Sequence, residues 1–140
     1  MELKGIIPAM VTPLHEDESI NVEELKNQVN RQIAAGAAAL FCLGTNGEFY
    51  ALSHEEKKLV MKTVAEENHG RLPILAGTGC ITTKETIELT LYAKELGYDA
   101  VSVIAPYFAE SSQDMLVQHY TNVASACQMP IILYNIPART

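Results

Sequence analysis

The sequence predicts an α/β fold of the (β/α)8 (TIM) barrel class. Three observations carry that reading: five short apolar runs without polar alternation, four helical segments between them, and a chemically distinctive cluster after each run.

The apolar runs are Ile6 to Val11, Ala39 to Leu43, Pro73 to Ala76, Ala100 to Ala105 and Ile131 to Tyr134. Continuous apolar runs of this length suit strands of a parallel sheet buried on both faces. The segments between them have helical spacing. Val22, Leu25, Val29 and Ile33 fall on one stripe, as do Leu116, Tyr120, Val123 and Cys127. Each helix is expected to open on a capping residue three positions before an acid: Asn21 with Glu24, Ser53 with Glu56, Thr82 with Glu85 and Ser111 with Asp114. Such pairs satisfy orphan N–H donors and complement the helix dipole. Gly36 and Gly97 stand where helices should terminate.

Strand–helix repetition implies a parallel sheet with right-handed crossovers, either open or closed into a ring. The strand ends decide between the two. An open sheet gathers ligands at one switch point, so one or two ends should be unusual. Here every end is: Thr12-Pro13, Gly44-Thr45-Asn46-Gly47-Glu48, Gly77-Thr78-Gly79, Pro106-Tyr107-Phe108 and Tyr134-Asn135-Ile136-Pro137. Polar residues on successive strand ends meet only in a barrel, which takes roughly 250 residues. The 140 residues are therefore expected to supply strands one to five and helices one to four, as the N-terminal part of a single domain (1–140) with no internal boundary.

Composition narrows the function. Hydrophobic residues make up 48% and charged residues 19%, the balance of a globular protein rather than a disordered one. Net charge is −7 and no basic cluster occurs, which argues against a nucleic-acid partner. No apolar run approaches the ~20 residues of a membrane helix. Three cysteines without C-x-x-C spacing, and an N-terminus without a signal-peptide layout, suggest a cytoplasmic protein. The four histidines share no metal-ligand spacing.

Two strand ends carry candidate chemistry. Gly44 and Gly47 would let the Thr45 and Asn46 amides turn toward an anion, with the Thr45 hydroxyl beside it. A glycine turn with a small polar cap explains the same residues without function. Tyr134 closes a strand of Ile and Leu, where a phenol is costly to bury unless its hydroxyl is bonded. It could be a general acid–base, or a core tyrosine bonded to a carbonyl.

These same segments carry a family resemblance. Gly44-Thr45-Asn46-Gly47-Glu48 resembles the Gly-Thr-Thr-Gly-Glu or Gly-Ser-Thr-Gly-Glu signature of the dihydrodipicolinate synthase and N-acetylneuraminate lyase family. Tyr134-Asn135-Ile136-Pro137-Ala138-Arg139-Thr140 is similar to that family's second signature. The resemblance covers the whole chain. It implies a class I lyase in which a lysine forms a Schiff base with pyruvate, without cofactor or metal. Thr45 and Tyr134 would be catalytic, and Thr45, Asn46 and Arg139 would bind substrate, with Arg139 gripping the carboxylate of a second, aldehyde substrate. The resemblance places the lysine on a sixth strand beyond Thr140, so the 140 residues alone are expected to be inactive. The seven lysines present read as solvated charges.

Two positions depart from the family pattern. Phe108 stands where many members have a tyrosine that enters the neighbouring subunit and completes a proton relay, leaving Tyr107 as a possible substitute; Asn46 replaces a threonine. A homo-oligomer, as a homotetramer, is expected. Arg139 favours the synthase, which condenses pyruvate with aspartate semialdehyde. Phe108, Asn46 and Phe49 favour a 2-keto-3-deoxy sugar-acid aldolase, and a keto-acid binder without catalysis is the alternative of another class. Many synthases are inhibited by lysine through positions matching His54, Glu85 and Tyr107. Ile81 and Lys57 replace an asparagine and a histidine of that set, which implies insensitivity to lysine.

Overall fold

In the computed structural model, which describes residues 3–138 and 140, four of the five apolar runs form strands: β1 Leu40–Cys42, β2 Ile74–Gly77, β3 Ala100–Ile104 and β4 Ile131–Tyr134. Four helices accompany them: α1 Val22–Ala34, α2 His54–Asn68, α3 Thr83–Glu95 and α4 Gln113–Cys127. All strand pairs are parallel and the sheet order is β1-β2-β3-β4. Each strand thus pairs with the next in sequence through a helical crossover, and every carboxyl end lies on one side.

The expected first strand is not a strand. Residues 6–11 lie beside β1 through a single parallel bridge, Ala9 to Phe41. Met10 N–H donates to Phe41 O (2.9 Å) and Ala38 N–H donates to Ile6 O (2.8 Å). Pro8 has no N–H to give the ladder. Ile6 and Val11 are 80% and 52% exposed, so the run is not covered on both faces as its composition suggested. Where strands have neighbours, the apolar pattern holds: every residue of β3 is buried, whereas the last strand, β4, leaves Ile132 and Leu133 exposed.

Helix starts follow the capping rule, with one shift. Asn21, Ser53 and Thr82 accept from the backbone N–H three residues on, and Ser53 with Glu56 forms a complete capping box. The fourth cap is Ser112, accepting from Met115 N–H, rather than Ser111. Gly36 and Gly97 follow α1 and α3 with φ of 78° and 80°, a conformation that costs a glycine little. The core packs Leu25 and Val29 of α1, Val60, Met61 and Val64 of α2, and Leu89 of α3 against the strands. Full burial of each such side chain is worth ~1.5–3 kcal/mol.

Several buried polar groups inside this core are paired. Thr78 and Thr90 share a hydroxyl–hydroxyl bond of 2.8 Å. Tyr98 OH donates to Met61 O at 2.9 Å and meets Cys42 Sγ at 3.4 Å, and burial pushes the Cys42 thiol up to about 12. Among the described residues no helix is long and apolar enough to cross a membrane.

Candidate active site

The loop after β1 is built tightly. Leu43 leaves the strand with φ 58°, a left-handed conformation uncommon for a bulky residue, while its side chain stays buried. Residues Thr45–Gly47 then form one 3-10 turn and Phe49–Ala51 a second. Glu48 joins them with φ 52°. The Glu48 side chain is exposed, and the residue contributes a left-handed turn of backbone. Gly47 N–H bonds Gly44 O (2.9 Å) and Glu48 N–H bonds Thr45 O (3.1 Å). The Thr45 and Asn46 amides open the turn, so neither has an acceptor within it.

Backbone packing fixes where this loop sits. Thr12 Oγ1 donates to Gly47 O at 2.7 Å, a buried bond between positions 35 residues apart. A β-carbon at Gly47 would lie 3.0 Å from Met10 O. One at Gly77 would overlap the Leu43 carbonyl oxygen and lie 2.8 Å from its carbon. Glycine is thus required where β2 ends against the turn that leaves β1. Sequence reasoning passed over both features. Their only sequence signals are a threonine directly after an apolar run and a glycine at a strand end.

The loop delivers Thr45 to Tyr134. Their hydroxyls lie 3.0 Å apart, joining the carboxyl ends of β1 and β4 across 89 residues of sequence, and the pair is partly buried. Gly44, Gly77, Gly79 and Ser102, with Ile104 and Tyr134, line a narrow cavity of about 10 Å³ at the strand ends. A hydroxyl pair so placed can pass a proton between a group at the strand ends and solvent.

Beside Thr45 is a cavity of about 230 Å³ whose walls are Phe49, Tyr50, Ile104, Tyr107 and Phe108. Tyr107 stands edge-on to Phe49 with ring centroids 5.6 Å apart, and burial, then Cys80 and Glu85, push its phenol upward. Among the described residues its hydroxyl makes no hydrogen bond to Thr45 or Tyr134, whose own hydroxyls pair with each other. Phe108 itself is 97% exposed with φ 80°. Asn46 is exposed on the 3-10 turn, and Arg139 lies outside the described residues.

Lys57, expected among the solvated lysines, is buried with Nζ 5.8 Å from the centroid of the Phe49 ring. A desolvated ammonium over an aromatic face gains cation–π attraction. Ile81 points an apolar, half-exposed side chain outward. His54 lies 3.9 Å from Glu88.

A parallel strand–helix repeat with the Thr45 and Tyr134 hydroxyls paired at the carboxyl ends of its strands defines the α/β class that carries its sites at that end. Within that class, the chain belongs to the dihydrodipicolinate synthetase family, whose model matches residues 2–140. It is 40% identical over 140 residues to the 4-hydroxy-tetrahydrodipicolinate synthase of Methanopyrus kandleri, covering 99% of this chain and 47% of that one. The structure superposes on the chloride-inhibited dihydrodipicolinate synthase of Acinetobacter baumannii, complexed with pyruvate, with TM-score 0.96 and 41% identity; 99% of this chain and 48% of that one are covered. The N-acetylneuraminate lyase of Mycoplasma synoviae matches with TM-score 0.92 and 39% identity, over 96% of this chain and 47% of that one. The chain spans about half the length of the curated relatives it matches.

Proposed function

We propose that this chain is the N-terminal half of a single (β/α)8 barrel, with residues 6–11 in the place of its first strand, and that the complete protein is a pyruvate-dependent Schiff-base lyase. The observation that carries the reading is the Thr45–Tyr134 hydroxyl pair at 3.0 Å. A lysine outside these residues attacks the keto carbon of pyruvate, and the carbinolamine loses water as Tyr134 protonates the departing hydroxyl. The iminium then gives up a methyl proton, and the resulting enamine carbon attacks the carbonyl carbon of the second substrate. Thr45 relays protons to and from Tyr134. The free amides of Thr45 and Asn46 suit the pyruvate carboxylate.

The experiment is borohydride reduction of the complete protein with pyruvate, followed by mass spectrometry. Expected is one reduced pyruvyl adduct on one lysine of the second half. Its absence would favour a keto-acid binder without catalysis.

The identities to synthases support aspartate semialdehyde as the second substrate, with Arg139 holding its carboxylate. The phenylalanine at 108 favours the sugar-acid aldolase as the other reading. Comparing kcat/KM for aspartate semialdehyde and for cleavage of a 2-keto-3-deoxy sugar acid decides between them.

The exposed Phe108, held in a left-handed conformation, supports a homotetramer in which it is covered by a neighbouring subunit. The same reading includes insensitivity to lysine. Ile81 offers no hydrogen bond to a polar effector, and loss of one such buried partner costs ~1–3 kcal/mol. Turnover should stay flat as lysine is titrated to several millimolar; saturable inhibition would contradict this.

A further inference from the structure

We infer that Thr12 is a positioning residue for the proton relay, acting on Thr45 through the backbone of the loop that carries it; this rests on the function proposed above. Thr12 is buried and its hydroxyl donates to Gly47 O at 2.7 Å. Neither 3-10 turn of the loop has a side-chain cap. Among the described residues, Thr12 makes the one side-chain hydrogen bond to the loop backbone between Gly44 and Ala51. Gly47 is tied in turn to Gly44 O at 2.9 Å, so Thr45 sits inside a closed turn whose far end Thr12 holds.

The Thr45 hydroxyl meets Tyr134 at 3.0 Å, near the outer part of the range for an O–H···O bond. A small shift of the turn therefore breaks the relay. Without a donor at position 12, the Gly47 carbonyl becomes a buried acceptor with no partner, and the turn must move to find one. The space between Gly47 and residue 10 is narrow: a β-carbon on Gly47 would lie 3.0 Å from Met10 O. Because Gly47 N–H is bonded to Gly44 O across Thr45, a shift of Gly47 is passed to Thr45 and to its contact with Tyr134.

The test is a mutant cycle in the complete enzyme, with kcat expressed per folded site. Thr12→Val should lower kcat ~10- to 100-fold, the scale of a misplacement of about 1 Å. Thr12→Ser, which keeps the donor, should stay within about threefold of wild type. The decisive arm is Thr12→Val in a Thr45→Val background, where it should add almost nothing, because residues that act as a unit are strongly non-additive. If the valine variant does not fold, Thr12→Cys replaces it, keeping the side-chain size with only a weak S–H donor, and should also lower kcat more than Thr12→Ser.

Equal fold losses in both backgrounds would show a purely structural role and overturn the inference, as would a Thr12→Ser variant as poor as Thr12→Val. Loss in Thr45→Val without loss in Thr12→Val overturns it alone. Wild-type turnover in Thr45→Val overturns the relay reading and this inference together.

Discussion

Replacing Tyr134 with phenylalanine should lower kcat of the complete enzyme by ~10²-fold or more, the usual contribution of a positioned acid–base group. The ring keeps its volume, so packing at the end of β4 is preserved and the change removes one oxygen. That oxygen is the group bonded to Thr45 at 3.0 Å. In the mechanism proposed above, dehydration of the carbinolamine and removal of the methyl proton both lose their proton carrier. The amides of Thr45 and Asn46 are untouched, so KM for pyruvate should change much less than kcat. Steady-state kinetics with pyruvate and the aldehyde, beside thermal unfolding, give the answer. A variant that folds normally and turns over like wild type would remove Tyr134 from the mechanism.

Among the glycines, Gly77→Ala should be the most damaging addition of a single methyl. The new carbon would collide with the carbonyl of Leu43, a backbone group that cannot swing aside as a side chain would. Leu43 is itself fixed, buried and in a left-handed conformation, one residue after the Cys42–Ala76 pairing of β1 and β2. Relief requires either separating the two strands or displacing the turn that bears Thr45. Overpacking of this kind costs ~1–3 kcal/mol and occasionally more. With ~2–4 °C per kcal/mol for a larger domain, a penalty of ~3 kcal/mol lowers Tm by roughly 6–12 °C. Thermal unfolding of the complete protein measures it, and an unchanged Tm would mean the strand ends are further apart than the structure places them.

What the sequence made legible is local chemistry. Apolar runs and capping pairs located four strands and four helices because both depend on neighbours in sequence. The misreadings were also local. Ser111 has an acid three residues after it, yet the cap is Ser112, because a cap bonds a backbone N–H and Met115 supplies one. The 6–11 run looked like a strand by composition, but Pro8 interrupts its ladder. Lys57 looked solvated because its helix is polar, while Phe49, eight residues earlier, folds beneath it. Thr45 and Tyr134 were legible as motif residues. Their 3.0 Å approach, the Thr12 tie and the overlap at Gly77 were not, since each joins segments that only tertiary packing brings together.

The in-order sheet, β1-β2-β3-β4, has a consequence for how the protein is made. Every new strand docks on the one synthesised just before it, so no loop must wait for a distant partner and the entropy of closing each loop stays small. Assembly can keep pace with a ribosome, one strand–helix unit at a time. Chemistry comes late in that sequence. Thr45 emerges in the second unit but meets its partner hydroxyl only when β4 seats 89 residues later. A nascent chain carrying a complete scaffold of three strands therefore has no relay. The Thr45–Tyr134 contact reports that the four-stranded sheet has finished folding.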